Sequence, residues 1–250
     1  MRQLSAEYRK IGSSKLLFLL LALLIGFVAF IWFDAVHSGI QLRGYLTSCG
    51  LLLTCVIGAN IAAVTGAMIA GNDLRWNTLQ HACVRCGRKN TLLVKVLLVF
   101  TADLFIPLFV FLFSAGIRLT SGAASDIFPA QFFLKFVYTF EDLVYWSMLA
   151  FTVTLALKTM LPGILLPFAL INFESLTYRY IGMELGRWLP DYRLKSILSS
   201  VFRDLRSGSM IVIPDLGYQY HFGCHIYVIC SVIVFFLISL AVMEKAEVES

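Results

Sequence analysis

The feature that most constrains this chain is a series of apolar runs, each near the length a helix needs to cross a bilayer. A crossing takes about 20 residues for a hydrocarbon core of about 30 Å, because every backbone polar group must be satisfied within the segment. Runs at 16–33, 45–71 and 221–243 carry no charged side chain when histidine is neutral. The run 91–117 is long enough while holding Lys95 and Asp103. The run 132–157 has Lys135, Glu141 and Asp142 in its first half, and 159–178 is interrupted by Pro162, Pro167 and Glu174. Together they predict an all-α integral membrane protein of about six transmembrane helices, forming one domain over residues 1–250.

Composition agrees. Hydrophobic residues fill 59% of the 250 positions and charged residues 14%, against roughly 45–50% and 25% in soluble domains. The net charge of +5 does not point to nucleic acid, because Lys and Arg lie between the apolar runs rather than in one basic stripe. They read as topology signals instead. With the N-terminus inside, the cytoplasmic stretches receive Arg2, Arg9, Lys10 and Lys15, then Arg75, Arg85, Arg88 and Lys89, then Lys158, while the short outer ones receive Arg43, Arg118 and Lys135. This asymmetry predicts that both ends are cytoplasmic. The outer segment 179–220 is also basic, but at about 40 residues it nears the length at which charge bias stops deciding orientation. The first run exceeds a signal-peptide core and is expected to remain as an anchor.

The cysteines do not form a secreted disulfide pattern. Cys83 and Cys86 make a lone CxxC with only His81 nearby, short of a zinc ligand set. In the second run, Gly58, Ala62, Gly66 and Ala70 recur every four residues beside a second row of Ala59, Ala63, Ala67 and Gly71. A helix with such a face admits close approach of another helix, whether within the subunit, at a dimer contact or along a substrate path. Asn60 on the same helix is a candidate for a bond across that interface.

Between the second and third runs, Trp76, Leu79, Cys83 and Cys86 share one helical face, Asp73 stands in the expected first turn, and Gly87 suits a helical stop. This predicts a short amphipathic cytoplasmic helix. Either it rests in the headgroup layer, with Trp76 as anchor and the arginines on anionic lipid, or it docks a soluble partner.

This segment carries a resemblance. An acidic residue after a small-residue helix, then Asn77-Thr78-Leu79, a basic 85–89 stretch and Leu92 to Leu98 around Lys95 look like the region after the second helix in permeases of type-2 ABC exporters. Asn77 replaces the usual Gly of that family, Asp73 the commoner Glu, and Cys83 and Val84 stand where leucines are frequent. The resemblance implies a permease that pairs with a second subunit, identical or homologous, and docks on ABC ATPase subunits that bind ATP and Mg. It implies that Asp73, Arg75, Trp76, Leu79, Cys83, Arg85 and Arg88 form the ATPase-coupling element. It further implies a multi-pass protein of a bacterial cell membrane that exports a hydrophobic or amphipathic cargo such as an antimicrobial peptide, a drug or a lipid-like compound. The chain itself is expected to hold no nucleotide and no cofactor, since Gly87-Arg88-Lys89 lacks the rest of a Walker pattern.

Among the acids in apolar runs, Asp103 lies nearest a midplane and is the leading candidate for an intramembrane polar site, with pairing to a neighbouring helix as the plainer role. Glu141, Asp142 and Glu174 are expected to be solvated or paired with Lys135 or Arg179. The stretch 176–206 reads as amphipathic surface helices separated at Pro190, with Leu194, Ile197, Leu198, Val201 and Phe202 at spacings of three and four. Two other functions stay open: a non-transporting membrane immunity protein, and an intramembrane metal-dependent hydrolase using His221, His225 and Glu174. The latter lacks an HExxH pattern.

Overall fold

A computed structural model describes residues 15–37, 45–75, 83, 87–120, 131–181, 189–202 and 223–245. All elements among these are helical. In chain order they are α1 (Lys15–His37), α2 (Tyr45–Leu53), a π-helical segment (Thr54–Gly58), α3 (Ala59–Arg75), α4 (Arg88–Thr120), α5 (Phe132–Leu157), α6 (Met160–Ile181), α7 (Pro190–Val201) and α8 (Gly223–Lys245).

Four stretches are long and apolar enough to cross a membrane: Thr47–Leu74, Arg88–Ile117, Phe132–Leu157 and His225–Lys245. The chain is therefore read as a membrane protein. The apolar part of α6, Met160–Phe173, is shorter. Its two prolines do not break the helix. Pro162 falls in the first turn, where its missing N–H has no intrahelical acceptor to lose. Pro167 lies inside the helix, where it cannot donate to the Gly163 carbonyl one turn earlier.

Helix α5 is the hub. It packs most extensively on α3 and also meets α4, α6, α7 and α8. The reason is visible in the small-residue rows. A Cβ on Gly66 would collide with the backbone carbonyl of Ser147 on α5, and one on Gly71 would collide with the Met160 side chain. Ala63 and Ala67 pack on Ala150 of α5. Without Cβ branches or long side chains, the α3 backbone sits directly on its neighbour.

Peripheral helices show the reverse pattern. Phe18 and Leu19 of α1, Leu97 and Phe105 of α4, Leu161 of α6 and Leu237 of α8 are all more than half exposed. In water such a surface would drive aggregation; in a bilayer it is the expected lipid-facing coat. Hydroxyl and charged groups are drawn inward instead, including Thr47, Ser48, Thr139, Ser147, Thr154 and Ser239.

The wide turn at Thr54–Gly58 was not foreseen from the run 45–71. Thr54 Oγ1 donates to the Gly50 carbonyl at 2.8 Å, a side-chain competitor for the backbone ladder just where the helix widens. Helix α7 also differs from the surface-lying expectation. Pro190 occupies its first turn, and Leu194, Ile197, Val201 and Phe202 are buried against the membrane bundle.

Gly66→Val is expected to destabilise the protein by about 1–3 kcal/mol through overpacking. Gly26→Ala, whose Cβ would meet nothing within 4 Å, should change stability by less than about 0.5 kcal/mol. Thermal unfolding of the two purified variants in detergent checks the contrast.

Candidate functional site

The last turn of α3 and the first turns of α4 meet at one end of the bundle. Asp73 was expected to open a separate amphipathic helix, but α3 continues through it to Arg75. The cause is an ion pair: Lys95 Nζ of α4 lies 2.7 Å from Asp73 Oδ2, with side-chain exposures of only 2% and 3%. Lys95 also donates to the Ile69 carbonyl at 2.7 Å. An acid near a helix C-terminus is unfavourable against the helix dipole. The ammonium of Lys95 offsets that cost and gives the helix end a donor.

The far end of the segment is fixed as well. Gly87 takes the left-handed conformation, φ 77°, and its N–H donates to the Cys83 carbonyl at 2.9 Å, the geometry of a helical stop that glycine adopts without Cβ strain. Cys83 is half-buried and, with Leu74, packs on the apolar cluster of Ile69, Leu92 and Val96. Burial pushes the Cys83 thiol up, and the nearby Arg88 partly opposes this. Arg88 Nη1 donates to the Glu244 carbonyl of α8 at 3.1 Å. Trp76, Leu79 and Arg85 lie outside the described residues, as does the side chain of Arg75.

The intramembrane candidates separate into different places. Asp103 of α4 is fully buried and accepts a hydrogen bond from Ser147 Oγ of α5, at the level where Gly66 touches the Ser147 backbone. Its Oδ1 has no hydrogen-bond partner among the described residues. Asn60 meets α6: Asn172 Nδ2 donates to Asn60 Oδ1 at 3.2 Å. In the row of four, Gly58, Ala62, Gly66 and Ala70 are all buried within the chain.

The charges in the first half of α5 also find partners that the sequence did not name. Lys135 Nζ donates to Ser48 Oγ of α2 at 2.9 Å and lies over the Phe202 ring. Trp146 Nε1 donates to Asp142 Oδ1 at 3.1 Å. His225 Nδ1 is 2.7 Å from Glu141 Oε2. His221 and the Glu174 side chain, the other members of the metal reading, are outside the described residues. No group of three potential metal ligands occurs among those that are described. One rule would have found the missed partners: a buried charge needs a polar group at its own depth, which Lys135 and Glu141 find on other helices and Asp142 finds one turn on along α5.

No family model, curated protein or solved structure matches the chain.

Two outcomes follow from this end of the bundle. Asp73→Asn or Lys95→Met alone should destabilise the protein by about 3–5 kcal/mol, because each strands a buried charge. The double variant should recover a large part of that loss, which a double-mutant cycle in chemical unfolding measures. Cys83 should alkylate more slowly than an ordinary thiol at neutral pH, since a raised thiol holds less thiolate. Its rate with iodoacetamide should still be climbing at a pH where an ordinary thiol has levelled off.

Proposed function

We propose that this chain is the membrane-spanning subunit of an ATP-driven exporter, built like the permeases of type-2 ABC exporters. It crosses the membrane about six times with both ends cytoplasmic, and pairs with a second permease subunit, identical or homologous. ATP and Mg bind to separate ATPase subunits. The cargo is hydrophobic or amphipathic, of the kind represented by antimicrobial peptides, and the protein resides in a bacterial cell membrane.

The observation that carries this reading is the Asp73–Lys95 clamp. A coupling element must pass displacement to the membrane helices rather than absorb it in a slack loop. Here the segment leaves α3 at a buried ion pair and rejoins the bundle at Gly87, whose successor Arg88 is bonded to α8. A load applied to residues 76–86 is thereby delivered to α3, α4 and α8, and through the close α3–α5 contact to the hub. The composition of the segment, with Trp76 and Leu79 three residues apart and Arg75, Arg85 and Arg88 flanking them in the sequence, suits a protein cleft lined by apolar and acidic groups.

Co-expression with a Walker-type ATPase encoded beside this chain tests the proposal. The ATPase should co-purify with the chain and hydrolyse ATP, and the joint change Trp76→Asp with Leu79→Asp should abolish co-purification while the membrane bundle keeps its unfolding temperature. An ATPase that binds the doubly changed chain as well as the original, or that never binds at all, overturns it.

A further inference from the structure

Asp103 and Ser147 form a polar pair where α3, α4 and α5 meet. Asp103 stands halfway along the membrane-crossing stretch Arg88–Ile117 of α4, Ser147 near the middle of α5, and both are fully buried. Gly66 of α3 closes one side, since a Cβ there would strike the Ser147 carbonyl.

The hydrogen bonds of this pair call for one more proton than a carboxylate provides. Ser147 Oγ lies within bonding distance of two acceptors, Asp103 Oδ2 and, at 3.2 Å, the Val144 carbonyl of its own helix. A hydroxyl has one proton to give. With Asp103 ionised, Ser147 serves one acceptor and leaves the other bond unmade, and Oδ1 of the carboxylate has no partner among the described residues. With a proton on Oδ2 both bonds form at once: Asp103 donates to Ser147 Oγ, and Ser147 donates to Val144. Oδ1 is then the carbonyl oxygen of a neutral acid, which loses far less on burial than a carboxylate oxygen does.

No cation offers the ionised form a substitute. Among the described residues Asp103 has no ion pair. On its own helix, Lys95 stands ~12 Å away along the axis and is held by Asp73 of α3. On α5, Glu141 and Asp142 stand ~8–9 Å along the axis from Ser147, Glu141 beside His225 of α8 and Asp142 bonded to Trp146. Lys135 is further off, at Ser48 of α2. Glu244 and Lys245 lie at the end of α8, and α1 carries Lys15 and Asp34 towards its two ends. The titratable groups of α2 and the π segment are Tyr45, Cys49 and Cys55, none of them cationic.

We propose that Asp103 is a proton-binding site of the bundle, its carboxyl holding a proton while α4 rests on α5 and yielding it when the two helices part. In that step the carboxyl O–H bond breaks, the proton passes to a water molecule, and the carboxylate left behind is hydrated. Separation of these helices is thereby linked to proton release in the middle of a membrane-crossing helix. The linkage needs no ATPase, so the proposal stands or falls independently of the exporter reading.

Infrared spectroscopy tests it on the full chain in phosphatidylglycerol nanodiscs at neutral pH, with the aspartate carboxyl carbons labelled with carbon-13. Ionised aspartates absorb there as carboxylates, whereas a neutral acid gives a separate carbonyl band at higher frequency. One isotope-shifted neutral-acid band is expected, absent from Asp103→Asn and retained in Asp142→Asn. Ser147→Ala should keep the band and move it to higher frequency, because the acid loses its acceptor, so the test holds even where Asp103→Asn does not fold. Unfolding the original chain in guanidinium at the same pH should convert the band to carboxylate absorption. The proposal is overturned by a packed protein without the band, by a band that survives in folded Asp103→Asn or vanishes in Asp142→Asn, by one that Ser147→Ala removes or leaves unmoved, or by one that persists after unfolding.

Discussion

Helix α3 lies against α5 with almost no side-chain thickness between them, and most of the bundle is arranged around that contact. At Gly66 the gap is so small that a single methyl group would strike the Ser147 carbonyl. Close backbone approach matters more here than in a soluble core, since lipid tails are as apolar as leucine and provide no hydrophobic force to join helices. What remains is dispersion between well-fitted surfaces and hydrogen bonding across them. The contact brings Ser147 to the depth of Asp103 and places Asn60 beside Asn172.

The polar groups of this interior act as local attachments rather than as one continuous network. Lys95 joins α3 to α4, Lys135 joins α5 to α2, and the Tyr138 hydroxyl joins α5 to α7. Each would be costly if it faced hydrocarbon, and each is therefore most stable when its two helices are together. The same logic explains why the charges in the first half of α5 do not exclude it from the membrane: Lys135 and Asp142 are covered by protein.

The apolar runs made the helices legible from sequence, because run length and backbone satisfaction are local properties. The boundaries of α5 could be read to the residue, and Gly87 could be read as a stop because its conformation depends on its own missing Cβ. What escaped was nonlocal or geometric. Asp73 and Lys95 both stand out in the sequence, yet nothing in their spacing says that one neutralises the other across two helices, and Asp73 belongs to the end of α3 rather than to the start of a following helix. The π turn at Thr54–Gly58 leaves no trace in hydropathy. It also re-phases the helix faces on either side of it, which defeats any periodicity read across 45–71. Leu194 and Ile197 gave the correct apolar face of α7 but not its substrate, since bilayer surface and protein surface demand the same residues.

Helix α8 is the least covered of the four long apolar stretches, with Ile229, Ile233 and Leu237 directed outward. A smooth apolar cylinder in lipid has little reason to prefer one angle of rotation about its own axis. Polar pins remove that freedom: His225 to Glu141 near its start, the Phe235 carbonyl and Ser239 to Thr152 further along, and the Glu244 carbonyl to Arg88 at its finish. The azimuth of the last helix is thus set by a few polar contacts spaced along its length, and its lipid-facing side chains are free to vary without turning it.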